Sequence, residues 1–413
     1  MEQDNLGNKL AGNESGSIES DSDILDHPQR SYGFLLVSNF MWFFGLGLYT
    51  NFLSIFLISI GATPVQAGLF SSIMMASGIL WTGLGGVLTT RFGVKPLLIL
   101  GWIIVIPAPI IYILAQTLGW QWALLAAFFE GTALLASAPF RTYTSHVTSR
   151  KQRGIGYSLI ASSSAFAGIP APTIGGLIIS LFGYSNLFLV SVVCYIVSTL
   201  LLFPLTSVPQ KSESIKKRWR WDFIKNRVFI FTTIFMGVIF SVYTFADFFV
   251  PLYLYDKFGL EESSIGVLFT ILSASGAILG PLLGVAGDRW GYTKMLSIPI
   301  LGSISYYVLL FFIPVPIFLP LAYVVRGLSY GGYILTNAII SHQIHPSQLP
   351  NAFATFVLTS RAISPLTPYV GGLSYAFQPA LPLIASSLIL PLNFGIIYLI
   401  YRAQKTEKAF ANP

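Results

Sequence analysis

The sequence predicts an all-α integral membrane protein, with twelve transmembrane helices in two pseudo-symmetric six-helix bundles. Three observations carry that prediction. Of 413 residues, 54% are hydrophobic and only 9% are charged, where soluble domains carry roughly a quarter charged residues; most of this surface must therefore face lipid. Apolar runs long enough to cross a bilayer follow one another from Tyr32 onward. The charged turn "GVLTTRFGVK" at 86–95 returns half a chain later as "GVAGDRWGYTK" at 284–294.

Residues 1–31 are polar, Ser/Asn-rich and acidic, a composition expected of a disordered tail. They lack the basic n-region and cleavage site of a signal peptide, and the sequon at Asn13 is not expected to be used in such a tail. The first bundle is expected over 32–207, with spans near 32–60, 65–90, 95–115, 121–147, 152–181 and 185–207. A basic linker at 208–227 follows, in which Trp219 and Trp221 either rest on the headgroups or belong to a plain connector. The second bundle occupies 228–403, with spans near 228–255, 262–290, 293–313, 316–344, 349–376 and 380–403, and a short tail at 404–413 ends the chain. Several spans exceed the roughly 20 residues of a straight crossing, which implies tilt or extension beyond the lipid.

Lysine and arginine set the orientation. Of 23, 19 collect on the face that carries both ends, the opposite loops hold Lys257, and Arg141, Arg326 and Arg361 lie inside spans. The expectation is a multi-pass plasma-membrane protein with both termini cytoplasmic. Topology thus accounts for the net charge of +7, and nucleic acid is not expected as a partner. Lone Cys194 excludes a disulfide framework and a cysteine metal site. The chain has no phosphate loop, metal-ligand cluster or nucleophile elbow. No enzyme, cofactor or metal is expected; the expected partners are the bilayer, a small-molecule substrate and protons, with the monomer as the working unit.

The repeat extends well past the opening turn. At an offset of 198, Gly61, Gly68 and Ser77-Gly78 match Gly259, Gly266 and Ser275-Gly276. At 196, Glu130-Gly131 matches Arg326-Gly327, Ser145-His146 matches Ser341-His342, and "PTIGG" (172–176) matches "PYVGG" (368–372). Two halves of common design typify secondary transporters. Twelve spans in two halves, with Gly284, Asp288, Arg289 and Gly291 after the second span of a half, resemble the major facilitator superfamily over about 32–403.

The resemblance implies alternating access, with this loop latching the cytoplasmic side in the outward-open state. In the first copy Gly86, Arg91, Gly93 and Lys95 fit, but Thr90 replaces the aspartate, so the latch is expected to lean on Asp288. The alternative is that Arg91 and Arg289 simply obey the positive-inside rule. In the fifth span, "AFAGIPAPTIGG" resembles an antiporter pattern, with Pro172, Gly175 and Gly176 fitting and Ala167 and Ala171 departing from it. Pro172, Gly175, Gly176 and the repeat mates Gly371 and Gly372 are expected to bend helices and pack them closely. The pattern leans slightly to efflux; Ala127, where exporters carry an arginine, counts against a standard drug–proton antiporter.

Charges at mid-bilayer are expensive and mark function by default. Glu130 and Arg326 are repeat mates near the midplane, and the resemblance implies that the first, fourth, seventh and tenth helices line the cavity. They are expected to face each other across the substrate site, joined by Asp247 and Arg361. Substrate competing for an arginine would free a carboxylate to take a proton; the alternative is a fixed ion pair holding the halves in register. Arg141 either joins the site or snorkels to the cytoplasmic surface. His146 and His342 read as helix-end caps, and Tyr330 and Tyr333 as rings for an organic substrate. The expected function is proton-coupled alternating-access transport of a small organic solute. The rivals are an organic-anion or sugar-type symporter or exchanger, and a non-transporting receptor or scaffold of the same fold.

Overall fold

The computed structural model describes residues 28–148, 153–207, 222–345 and 348–411. The sequon at Asn13, the basic Arg150 and Lys151, and Trp219 and Trp221 of the linker lie outside them. All regular structure among the described residues is helical. Nine stretches there are long and apolar enough to cross a membrane, and the 46-residue one, Ile155–Leu200, is two crossings joined end to end. The join is Gly183, whose φ of 81° reverses the chain direction where a residue with a Cβ would be strained. The tenth and eleventh helices, 316–343 and 349–377, carry Arg326 and Arg361 and complete the twelve.

The two halves touch along two seams: the fifth helix packs on the eighth, and the eleventh on the second. Glycine permits this closeness. A Cβ at Gly176 would strike the Glu262 carbonyl, and one at Gly372 the Pro64 carbonyl of the other half. Their neighbours Gly175 and Gly371 press instead on the Leu48 and Phe245 carbonyls of their own halves. Each "GG" pair thus welds one helix to two partners, the small-residue packing that lipid-embedded helices rely on. The bend expected near Pro172 falls just before it, at 169–170, and Pro172 sits in the first turn of the resumed helix, where it has no hydrogen bond to lose.

Hydrogen bonds between the halves confine the seams to one side. Thr173 bonds Thr270 (2.7 Å), Thr270 donates to the Ile169 carbonyl (2.7 Å), the Tyr369 amide donates to Ser72 (3.1 Å) and Tyr184 donates to Glu262 (3.0 Å). All four lie in the membrane half away from the termini. On the terminal side, Arg91, Phe92, Asp288, Arg289 and Trp290 are exposed, and among the described residues no hydrogen bond or ion pair joins the halves there. Among the described residues, the hydrogen bonds between the halves thus lie on the face away from the ends.

The repeated turn adopts the same backbone twice. Gly93 and Gly291 both carry a φ above 90° between two helices, a conformation that explains a glycine at that place in each copy. Asp288 accepts from Tyr292 of its own loop, and Tyr292 stacks on His342 at 5.2 Å between centroids. His146 bonds back to the Thr142 carbonyl (2.8 Å) at its helix end.

Candidate functional site

Four helices share one irregularity. The first, fourth, seventh and tenth each pass through a 3₁₀ segment at mid-depth: Thr50–Phe52, Thr132–Ala136, Asp247–Phe249 and Gly327–Ser329. A stretch of 3₁₀ inside a longer helix marks a hinge or a strained sequence, and irregular backbone at membrane depth is tolerated where protein or a cavity surrounds it. The charged side chains sit at these breaks. Glu130 and Arg326 lie just before theirs, and Asp247 opens its own.

Glu130 does not face Arg326. It is 7% exposed and enclosed within the first half. Tyr49 donates to both carboxyl oxygens (2.7 and 2.8 Å), and the Tyr195 hydroxyl lies 2.8 Å from that of Tyr49. Since the Tyr49 proton points at Glu130, Tyr195 donates to Tyr49, forming a short relay across the first, fourth and sixth helices. Tyr112 packs edge-on against Tyr49 at 5.9 Å; its buried hydroxyl lies beside Glu130 without reaching hydrogen-bond geometry. Trp42 stacks on both Tyr195 and Trp102 behind the relay, at 4.6 Å each. Among the described residues, no cation pairs with the carboxyl.

Arg326 is satisfied within the second half. It is 4% exposed, bonds Asp247 at 2.5 Å and donates to Ser303 at 2.9 Å. Tyr307 donates to the other Asp247 oxygen (2.6 Å). Because the Ser303 proton goes to the Pro299 carbonyl, Tyr243 donates to Ser303 (2.7 Å). The Tyr243 ring lies 3.8 Å from the guanidinium carbon, with Tyr306 and Tyr307 at 5.3 and 5.6 Å, a cation–π cage around a desolvated arginine. The expected cross-seam pair is therefore replaced by two self-contained cores. The reason is positional: repeat mates occupy equivalent places in each half and find equivalent partners there. Tyr49 and Asp247, themselves 198 residues apart, are those partners.

Beside the second core a cavity of about 280 Å³ opens, lined by Tyr243, Asp247, Phe269, Tyr306, Arg326 and Tyr330 among others. A second cavity of about 370 Å³ shares Tyr243, Ser329 and Tyr330 and continues to Phe240, Tyr333 and Arg361. Tyr330 and Tyr333 thus stand on the cleft wall, and Arg361 lies at its end, at the close of Leu349–Arg361, where the eleventh helix breaks over 362–366. The Arg361 guanidinium sits 4.7 Å over the Phe240 ring, and its Nε is buried without a partner. Arg141 is exposed on the fourth helix and close enough to Arg361 for the two charges to repel. Sequence reasoning missed Tyr49, Tyr112, Tyr195, Tyr243, Ser303, Tyr306 and Tyr307. Of these, Tyr49 alone left a trace, as the repeat mate of Asp247.

The family model of the Major Facilitator Superfamily matches residues 35–368 and 244–413. A curated relative, the mouse (Mus musculus) MFS-type transporter SLC18B1, is 29% identical over 139 residues, a stretch spanning 32% of this chain and 29% of the relative. Among solved structures, the nucleoside transporter NupG superposes with a TM-score of 0.72 at 15% identity, over 91% of this chain and 99% of that one. A bacterial homologue of the human lysosomal transporter Spinster, inward-facing and unoccupied, also gives 0.72, at 12% identity over 91% of this chain and 97% of that one.

Proposed function

The chain belongs to the major facilitator superfamily, and from that premise we propose that it moves a small organic solute by alternating access, coupled to protons, with the described conformation open to the cytoplasm. Its character as a multi-pass membrane transporter rather than an enzyme follows from the family. The observation that carries the mechanism is the asymmetry of the seams. Every hydrogen bond between the halves, among the described residues, lies on the far side, and the breaks of the seventh and tenth helices border the cavities of the second half. Rocking about the far seams would close the terminal face and open the other.

In this reading the 19 basic residues on the terminal face place that face in the cytoplasm, and the plasma membrane is the simplest location for the monomer. Substrate occupies the tyrosine-lined cleft of the second half. Glu130 is the proton site: a carboxyl buried without a cation is costly as an anion, and the Tyr195–Tyr49 relay offers a route for the proton. Glu130→Gln keeps the hydrogen bond from Tyr49 but not the exchangeable charge. In proteoliposomes it is expected to abolish accumulation driven by a pH gradient and to leave counterflow exchange intact. Gradient-driven uptake at the wild-type level in that variant would remove Glu130 from the coupling step. The direction of transport takes a slight lean to efflux from the Pro172–Gly176 segment. Reconstitution with the gradient imposed in either sense reads it directly.

A further inference from the structure

The charged groups of the two cores are hydrogen-bonded within their halves; Arg361 has no counter-charge among the described residues. Its Nε is buried and unbonded, its guanidinium carbon lies 4.7 Å over the Phe240 ring, and the side chains lining its cavity of about 370 Å³ include no carboxylate. The one ion pair among the described residues is committed elsewhere, between Arg326 and Asp247. Arg141, from the other half, adds a second positive charge. Arginine cannot shed its proton to relieve this, and a half-buried cation with no counter-charge has lost part of its hydration without compensation. A negative group entering the cavity would supply that compensation, and the planar guanidinium fork fits a carboxylate or phosphate in two-point contact.

We propose that Arg361 and Arg141 form an anion subsite, and that the transported solute carries an oxyanion that bridges the two halves there while its body lies against Phe240, Tyr330 and Tyr333. The inference rests on the transporter reading and names its substrate class. It also assigns a role to occupancy. With the subsite empty, repulsion between Arg141 and Arg361 opposes approach of the halves on the terminal face. A bound oxyanion cancels that repulsion, so loading favours closure. A ligand shifts a conformational balance only through such a difference in affinity between states.

The test uses purified full-length protein and matched probes: benzoate against benzamide, phenyl phosphate against phenol, and benzylammonium as the cationic control. Thermal stabilisation is read for each. The acids are expected to stabilise where their neutral partners do not, with phosphate against carboxylate reporting which oxyanion fits. Arg361→Gln is expected to weaken acid binding about ten- to a hundred-fold, the span set by one to two charge-assisted hydrogen bonds. Arg361→Lys, with charge but no fork, retains part of it, and Arg141→Gln, at an exposed position, weakens it while folding normally. The ligand-free midpoint of Arg361→Gln should be equal to or above wild type, because a half-buried cation without a counter-charge has been removed; a purely structural arginine would lower it. The inference is overturned by acids that perform no better than their neutral partners, by stronger stabilisation from benzylammonium, or by an acid preference that survives Arg361→Gln or Arg141→Gln. Flux separates the two readings. Acid binding at Arg361 with no solute carried across would overturn transport alone, whereas solute flux indifferent to both variants would overturn the subsite alone.

Discussion

Asp247→Asn isolates what holds Arg326 in place. Arg326 is the more deeply buried partner, at 5% side-chain exposure against 37% for Asp247. Removing one partner of a buried pair costs about 3–5 kcal/mol, because the other is left uncompensated. Two features of this site argue for the low end: asparagine still accepts from Tyr307, and the tyrosine cage and Ser303 still receive the guanidinium. The expected loss is about 2–3 kcal/mol. Arg326→Met strands a carboxylate that water already reaches and should cost less, about 1 kcal/mol. The double variant replaces the pair by an uncharged one and should recover to within about 1 kcal/mol of wild type, giving a coupling of about 2–3 kcal/mol. Equilibrium unfolding of all four proteins in mixed micelles completes the cycle. Additive single effects, or an Arg326→Met loss greater than that of Asp247→Asn, would refute the burial argument.

Three further outcomes follow from named contacts. The hydroxyls of Thr173 and Thr270 are 2.7 Å apart across the far seam, and the chain's one native cysteine is buried; Thr173→Cys with Thr270→Cys should therefore cross-link on mild oxidation and arrest transport, and a pair that stays reduced in unliganded protein would contradict the closed far face. Tyr49→Phe deprives Glu130 of its hydrogen bonds and should cost about 1–3 kcal/mol of stability, with slowed proton-driven uptake; a thermal midpoint and rate both equal to wild type would show the relay to be idle. Asp288→Asn removes the acidic member of the second loop, and, if that loop latches the terminal face when it closes, solute binding should persist while turnover falls about tenfold; unchanged turnover would reduce Arg289 to a topology signal.

The sequence carried the fold and the cast of charges, yet it did not give their partners. Low charge density and long apolar runs are integrated properties, so the crossings were legible without any one residue being decisive. The breaks in the first, fourth, seventh and tenth helices were not. Passing from α to 3₁₀ shifts each hydrogen bond by one residue and leaves hydropathy untouched, so Gly131 and Gly327 beside the charges were the faint trace. Pairing Glu130 with Arg326 failed because equivalence under a repeat is not proximity. The offset of 198 that links Tyr49 to Asp247 held the better clue. Tyr112, Tyr195, Tyr306 and Tyr307, among 20 tyrosines, had no mark to set them apart.

The failed pairing clarifies why such a machine can turn over. An ion pair between Glu130 and Arg326 across the seam would have to be parted in each cycle, at about 3–5 kcal/mol for stranding a buried charge. Each half instead satisfies its buried group internally, Arg326 by the ion pair with Asp247 and Glu130 by the hydrogen bonds of Tyr49, so rocking breaks neither core. The far seam is left with glycine-to-carbonyl contacts and hydroxyl or amide bonds such as Thr173–Thr270 and Tyr369–Ser72, each worth about 1 kcal/mol net. A seam that weak can be reversed by a ligand whose affinity differs between the two states by a few kcal/mol. In the proposed cycle Arg141 and Arg361 would sense that ligand from both halves, and relief of their mutual repulsion would supply the difference in affinity.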